Sequence, residues 1–287
     1  MPFTFQLRSD MWEQGTDAMK KLGQYFARVT AKPLLKLLIL LGACSANWAQ
    51  AQPQIYSWQL KHRLGDFDVM EIRSMAQLKL VLKNTAQQPY RYFTALQDDL
   101  QPCQQLEFAM NAGMFHADYA PVGLYIEEGK RVSQLNTQTQ GWGNFLIQPN
   151  GVLAWDKQPL LMTTQQYQQA NVQPKYATQS GPMLVIDGKI NPNFIPDSDS
   201  RKIRNGVGLK DATLYFVISQ QPINFYDFAR LFQQQLKTPN ALYLDGSVSS
   251  VYIAALKRHR QYRAVGPMLA YIDDSACATE PEKSTGQ

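Results

Sequence analysis

Residues 240–253 read NALYLDGSVSSVYI, and how this stretch is read decides the fold. Ala241, Leu242, Tyr243 and Leu244 are apolar without alternation, which predicts a strand buried on both faces of a sheet. Asp245 ends it. A carboxylate at the end of a buried strand is costly unless it is paired, hydrogen-bonded or set at a cleft, and Gly246 lets the backbone turn sharply beside it. Ser247, Ser249 and Ser250 then lead into an expected helix, whose first amides would favour an anion. Two readings of this turn stand side by side. In one, Asp245 or Ser247 is only the helix N-cap; in the other, Asp245 is a functional carboxylate at a strand end.

Working outward, the same pattern recurs. Residues 106–110 predict a strand that runs into Asn111, Ala112, Gly113, Met114, Phe115 and His116, so a polar Asn again follows an apolar strand and precedes a glycine. Phe115 reads equally well as core. Ser180, Gly181 and Pro182 impose an irregular, extended backbone before the strand 183–186, and Asp187-Gly188 predicts a hairpin turn after it. Arg201, Lys202 and Arg204 form a dense basic cluster ahead of Asn205, Gly206, Val207, Gly208 and the strand 214–219. A guanidinium at a strand edge suits a phosphate, because its planar fork donates two parallel hydrogen bonds, although basic charges near a turn are often simply solvated.

The remaining elements are ordinary core builders. IYSWQL and FDVMEI, separated by Arg63-Leu64-Gly65-Asp66, predict a strand, a turn and a second strand, with LKLVL as a third. Residues 90–100 have helical spacing, and Asp98 and Asp99 fall on the solvated side. Residues 121–126 predict a turn and a strand closed by Glu128-Gly129-Lys130. NFLI (144–147) and VLAW (152–155) read as strands within a Gln-, Asn- and Thr-rich stretch, 133–175, whose amides suit sugar hydroxyls but are also common in exposed loops. Asn224 is expected to cap a helix with Asp227 at its third position, burying Phe225, Phe228, Phe232 and Leu236. Residues 257–263 read as a basic surface segment, residues 268–272 as a last strand and residues 273–287 as a frayed tail.

Together these elements predict an α+β fold: a mixed, largely antiparallel β-sheet core with a few packed helices in a single domain. Residues 1–51 read as a leader, 52–273 as the domain and 274–287 as a tail. The leader carries Arg8, Lys20, Lys21, Arg28, Lys32 and Lys36 against Asp10, Glu13 and Asp17, so it supplies more than half of the formal +5 net charge. The nearly balanced remainder argues against a nucleic-acid surface. Basic residues, a short apolar run (34–43) broken by Lys36, and small residues at Ala49 and Ala51 are the pattern of an export signal. Met19 is an alternative start. Cleavage after Ala51 would release a periplasmic or secreted chain without a membrane span; the lipobox-like Leu41-Gly42-Ala43-Cys44 would instead leave a lipoprotein anchored at Cys44. The first reading is preferred because the later site is better formed. Cleavage there leaves Cys103 and Cys277, which either pair in an oxidising compartment or remain free thiols.

No cofactor is called for. The cysteines lack clustered zinc spacing, and His62, His116 and His259 are scattered. Asp118, Asn144 and Asp199 offer oxygen ligands without a loop signature, so a divalent cation is left open. Ser247 lacks the Gly-x-Ser-x-Gly elbow of a serine hydrolase.

Four strings in this order make residues 67–272 resemble the phosphodiester glycosidases. Asn111-Ala112-Gly113-Met114-Phe115 is similar to that family's Asn-Gly-Gly-Phe-Phe strand end, and Gly181-Pro182-Met183-Leu184-Val185 to its Gly-Pro-x-Leu-Val string. Arg204-Asn205-Gly206-Val207-Gly208 corresponds to Arg-Thr-x-x-Gly, and Leu244-Asp245-Gly246-Ser247-Val248-Ser249 to Leu-Asp-Gly-Gly-Gly-Ser. Ser247 and Val248 replace glycines, and Asn205 replaces a threonine. The resemblance implies hydrolysis of a sugar-1-phosphodiester in a phosphorylated sugar or glycan, with Asp245 as nucleophile or general base, Arg204 on the phosphate, and Asn111 orienting a hydroxyl or water. Gly113, Phe115, Ser180, Gly181, Asn205, Gly208, Gly246, Ser247 and Ser249 are the implied substrate-binding positions. The altered glycine loop motivates a second reading, an envelope protein that binds phosphorylated glycans without turnover. The oligomeric state is not legible.

Overall fold

The computed structural model describes residues 53–140 and 143–279. The expected leader, both cleavage readings and Cys44 lie outside the described residues. Numbered in chain order, seventeen strands among the described residues build three sheets in which every pairing is antiparallel. The first sheet runs in the order β1 (Ile55–His62), β2 (Gly65–Ile72), β13 (Thr213–Ser219), β12 (Asn205–Lys210), β14 (Asn240–Tyr243), β10 (Met183–Ile186) and β11 (Lys189–Ile190). The second contains β16 (Arg258–Arg260), β15 (Val251–Ile253), β4 (Gln105–Asn111), β17 (Met268–Asp273) and β3 (Leu78–Val81). The third contains β6 (Lys130–Ser133), β5 (Tyr125–Glu127), β9 (Tyr176–Ser180), β7 (Gly151–Trp155) and β8 (Pro159–Thr163).

Strand periodicity divides each sheet into an inner and an outer face. On β2, Met70 and Ile72 point into a core shared by the sheets, while Phe67 and Val69 point outward. The same alternation places Phe108 and Met110 of β4, Leu153 and Trp155 of β7, and Leu242 of β14 with Leu244 beyond it in that shared core. Each outer face is covered by one short helix. Phe93 and Leu96 of α1 (Phe93–Asp98) pack on Ala109 and Ala270 of the second sheet. Tyr167 of α2 (Thr164–Ala170) packs on Val152 and Ala177 of the third. Phe228 of α3 (Phe225–Arg230), with Phe232 from the π-helical turn Leu231–Leu236, covers Val185 and Val217 of the first. Each fully buried Leu or Phe contributes about 1.5–3 kcal/mol of transfer free energy, so this double-sided burial is what fixes strand register.

The antiparallel core agrees with expectation, but the fold is dominated by sheet, because its short helices act only as covers. β1, β2 and β14 lie where the sequence put them, and Asp227 N–H donates to the Asn224 cap at 2.8 Å. The expected third strand is present as β3, paired with β17 in the second sheet. Other expectations need correction. NFLI is a 3-10 turn over Asn144–Leu146, not a strand. No helix follows Asp245: the chain makes a turn and enters β15, so no helix amides face an anion there. The beginning of the tail is not free, since Cys277 is disulfide-bonded to Cys103. Among the described residues no helix is long and apolar enough to cross a membrane.

Candidate active site

Asn111 ends β4, Asn205 begins β12 and Asp245 follows β14, so antiparallel pairing brings three strand ends from two sheets to one point. Their polar groups lock together. Asn111 Nδ2 donates to the Asp245 carbonyl at 2.8 Å, and its Oδ1 accepts from Ser250 N–H at 2.9 Å and from Asn205 Nδ2 at 3.1 Å. The Ser249 hydroxyl lies 2.9 Å from Asn205 Oδ1 and 3.1 Å from the Ile203 carbonyl. Asn111 and Asn205 are buried, and such amides are tolerated inside a protein only when so paired.

The Asp245 side chain is held on one side only. Its Oδ1 accepts from Ser247 N–H at 3.0 Å and from Ser247 Oγ at 2.6 Å, which closes an Asx turn. Its Oδ2 accepts no hydrogen bond from the described residues, and the residue keeps 8% exposure. Tyr243, the last residue of β14, stands beside it. A Cβ on Gly246 would lie 1.6 Å from Tyr243 Oη, so only glycine lets the turn close over the phenol. Burial, with Asp245 adding to it and Arg204 opposing, pushes the Tyr243 pKa up to about 12. The phenol is therefore protonated at neutral pH.

Arg204 is not where a phosphate could reach it. It is 1% exposed, and its guanidinium stacks 3.6 Å over the Phe225 ring. Nε donates to the Ile223 carbonyl at 2.7 Å, Nη2 to the Ser200 carbonyl at 2.7 Å, and Nη1 to Tyr243 Oη at 3.3 Å. Burial lowers its pKa from the ordinary arginine value. Arg204 thus holds the phenol of Tyr243 in place.

A cavity of about 440 Å³ opens in front of this cluster. Tyr243, Gly246, Ser247 and Ser249 form one side, and Lys202, Arg260 and Arg263 supply three cations. None of these cations has an acidic partner among the described residues, and no acidic residue lines the wall. Arg258, two residues before Arg260 on β16, is by contrast paired with Asp68 at 3.0 Å. Sequence reasoning missed Arg260 and Arg263, which it left on a basic surface. The turn after β15 folds them back, through pairs such as Val251 with Arg260, beside the Asp245 loop.

Asn111, Arg204 and Asp245 themselves lie behind the cavity wall rather than on it. Ser247, Gly246 and Ser249 are brought to it, and Asn205 sits in the network beneath. The other anticipated contact residues are elsewhere. Gly113 is packed so closely that a Cβ would come within 2.3 Å of the Gln179 carbonyl oxygen. Phe115 stacks on Tyr119 and against Gly266. Ser180 is fully buried with no partner for its hydroxyl among the described residues, and Gly181 abuts Asn150. Gly208 lies under Phe232 and Thr238 in the core below α3. Among the described residues no group of three or more His, Cys, Asp or Glu is placed to hold a metal ion.

The fold has a solved counterpart. A zebrafish N-acetylglucosamine-1-phosphodiester alpha-N-acetylglucosaminidase catalytic domain, auto-inhibited by pro-peptide, superposes with a TM-score of 0.54 at 14% identity, over 77% of this chain and 84% of that one. At that identity the likeness concerns the fold. An uncharacterized Escherichia coli (strain K12) protein, YigE, is 43% identical over 162 residues, which cover 55% of this chain and 63% of that protein. The phosphodiester glycosidase family profile matches residues 104–272, a span that includes Asn111, Arg204, Asp245 and all three cavity cations, and on this match the chain belongs to the phosphodiester glycosidase family.

Proposed function

We propose that this protein is an exported hydrolase, periplasmic or secreted, that cleaves a sugar-1-phosphodiester in a phosphorylated glycan. The observation that carries the reading is a half-anchored carboxylate set behind a cavity whose described charged residues are all cationic: Asp245 Oδ1 is fixed by Ser247, which lines the cavity, Oδ2 accepts no hydrogen bond from the described residues, and Lys202, Arg260 and Arg263 line the same cavity without an acidic partner among those residues. The cations hold the phosphate, and Asp245 acts from the sugar side as nucleophile or general base. The bond that breaks joins the anomeric carbon to oxygen, and the phosphate monoester leaves with the bonding electrons. Such a leaving group needs little protonation, which fits a wall lined by no acidic residue among those described. Arg204 and Asn111 are positioning residues: the first fixes Tyr243, the second fixes the backbone of Asp245.

The test is product analysis on methyl phosphodiesters of sugar 1-phosphates, α- and β-linked, including the N-acetylglucosamine derivative. Free sugar and methyl phosphate should appear in equal amounts. Sugar 1-phosphate and methanol would place the cut on the other side of phosphorus and refute a glycosidase. The replacement of glycines by Ser247 and Val248 favours a second reading, a non-catalytic binder of phosphorylated glycans; retained, unhydrolysed ligand after long incubation would support that reading.

A further inference from the structure

A second cavity, of about 430 Å³, lies between residues 136–139, residues 148–150 and the start of α2. Its size is within the range of about 300–1,000 Å³ common to small-molecule sites. Among the described residues no charged side chain lines it, and Pro149 is the one apolar residue; the others described are amides and threonine hydroxyls. The first cavity, of nearly equal volume, has three cations.

The walls are set by bonds made behind them. Gln179 Nε2 donates to the Asn136 carbonyl at 2.7 Å and lies 3.0 Å from Thr164 Oγ1, tying the two sides together. Its Oε1 accepts from the Asn136 and Leu124 amides at 2.9 and 3.0 Å. Thr163 and Gln166 close a capping box that fixes the first turn of α2. Gln148 Nε2 and Asn150 Oδ1 are buried away from the cavity, Asn150 Oδ1 against Gly181. The groups a ligand can reach are the exposed amides and hydroxyls of Thr137, Thr139, Gln165 and Gln168, which line both sides of the opening.

The ligand chemistry follows from the lining. Each Asn or Gln offers a donor and an acceptor side by side, and threonine hydroxyls do both. Sugar hydroxyls also do both. Among the described lining residues a phosphate would find no cation, and a peptide would find no apolar pocket for its side chains. We propose that this cavity is a binding site for an uncharged glycan, separate from the Asp245 cavity. The same stretch of chain walls both sites, since Asn144 reaches the first and Gln148 the second. A glycan held here would lie next to the phosphate-binding cavity without contributing charge to it. This proposal does not rest on turnover at Asp245, because sugar binding can be measured on a protein that hydrolyses nothing.

The experiment titrates the full chain, labelled with nitrogen-15, with three neutral disaccharides: cellobiose, maltose and N,N′-diacetylchitobiose. At least one should shift the backbone amide resonances of Thr137 and Thr139. The double variant Gln165→Ala/Gln168→Ala removes two exposed lining amides of α2 and should weaken that binding about three- to tenfold, the worth of one or two hydrogen bonds, with unchanged melting temperature. No shift with any of the three sugars, or shifts that are equal in the double variant, would overturn the site. Binding of an uncharged Ser/Gln-rich control peptide in place of the sugars would overturn the glycan assignment.

Discussion

Two sets of basic residues meet near Asp245, and they do opposite things. Arg204 sits in the conspicuous cluster with Arg201 and Lys202, yet it is buried, stacked on Phe225 and bonded to two carbonyls and a phenol. Arg260 and Arg263, in a stretch that looks like ordinary surface, line the cavity without an acidic partner among the described residues, and the Arg260 guanidinium is engaged only through Nη1, which donates to the Ser219 and Gln220 carbonyls at 3.4 and 3.5 Å. A buried guanidinium persists only because its donors are met inside the protein, and a donor so engaged cannot also grip substrate. The cation that reads most clearly as a ligand holder is therefore part of the scaffold, and the less conspicuous ones are left for an anion.

This contrast can be broken by substitution. Arg204→Leu should cost about 3–5 kcal/mol of stability, because it orphans the Ser200 carbonyl, leaves the Ile223 carbonyl with only the Lys202 amide and loses charge-assisted bonds. The melting temperature should fall on the order of 10 °C. A stable Arg204→Leu protein that had lost only phosphate affinity would reverse the assignment. Gly246→Ala should be next, costing about 1–3 kcal/mol as the new methyl drives Tyr243 Oη from its place, with a matching loss of turnover; unchanged activity would show that the phenol's position is irrelevant. Arg260→Ala and Arg263→Ala should leave stability within about 0.5 kcal/mol while raising KM about three- to tenfold for a phosphodiester. That rise should shrink at high salt, where the wild-type attraction is screened. Equal KM values at low salt would remove both arginines from the site.

The smallest effect concerns a buried acid. Burial pushes the Glu127 carboxyl above the usual value, with Glu128 adding to the shift and a hydrogen bond from Tyr125 opposing it. A raised folded-state pKa means that the unfolded chain ionises first, so Glu127 favours folding below about 4.5 and that contribution is lost as pH rises through its folded value. Glu127→Gln should flatten this fall in a denaturation series from pH 4 upward. An unchanged slope would show that Glu127 is not its source.

Much of the fold was legible because burial leaves a periodic trace. Met70 and Ile72 against Phe67 and Val69, or the unbroken Ala241 to Leu244 run, report their sheet faces directly. The Asn224 cap was equally plain. What failed depended on competing local chemistry. NFLI has strand composition, but it lies between Gly143 and the residues leading to Pro149, and it turns into a 3-10 segment. Ser247 looked like the entry to a helix, but its amide and hydroxyl both close on Asp245 and the chain turns into β15. The candidate site was legible in its strand ends, Asn111, Asn205 and Asp245. Its cations were not, because their place depends on how β15 and β16 pair, which no local string records. Gly113 and Gly208 show the converse: glycines read as room for substrate are occupied by Gln179, Thr238 and Phe232.

The account rests on the carboxylate at the end of β14. Its most direct test is the rate of free-sugar release from a sugar-1-phosphodiester by the Asp245→Asn variant, measured beside its melting temperature. A loss of at least about a hundredfold, with the melting temperature unchanged within a few degrees, is the predicted result. Full turnover by that variant would contradict it.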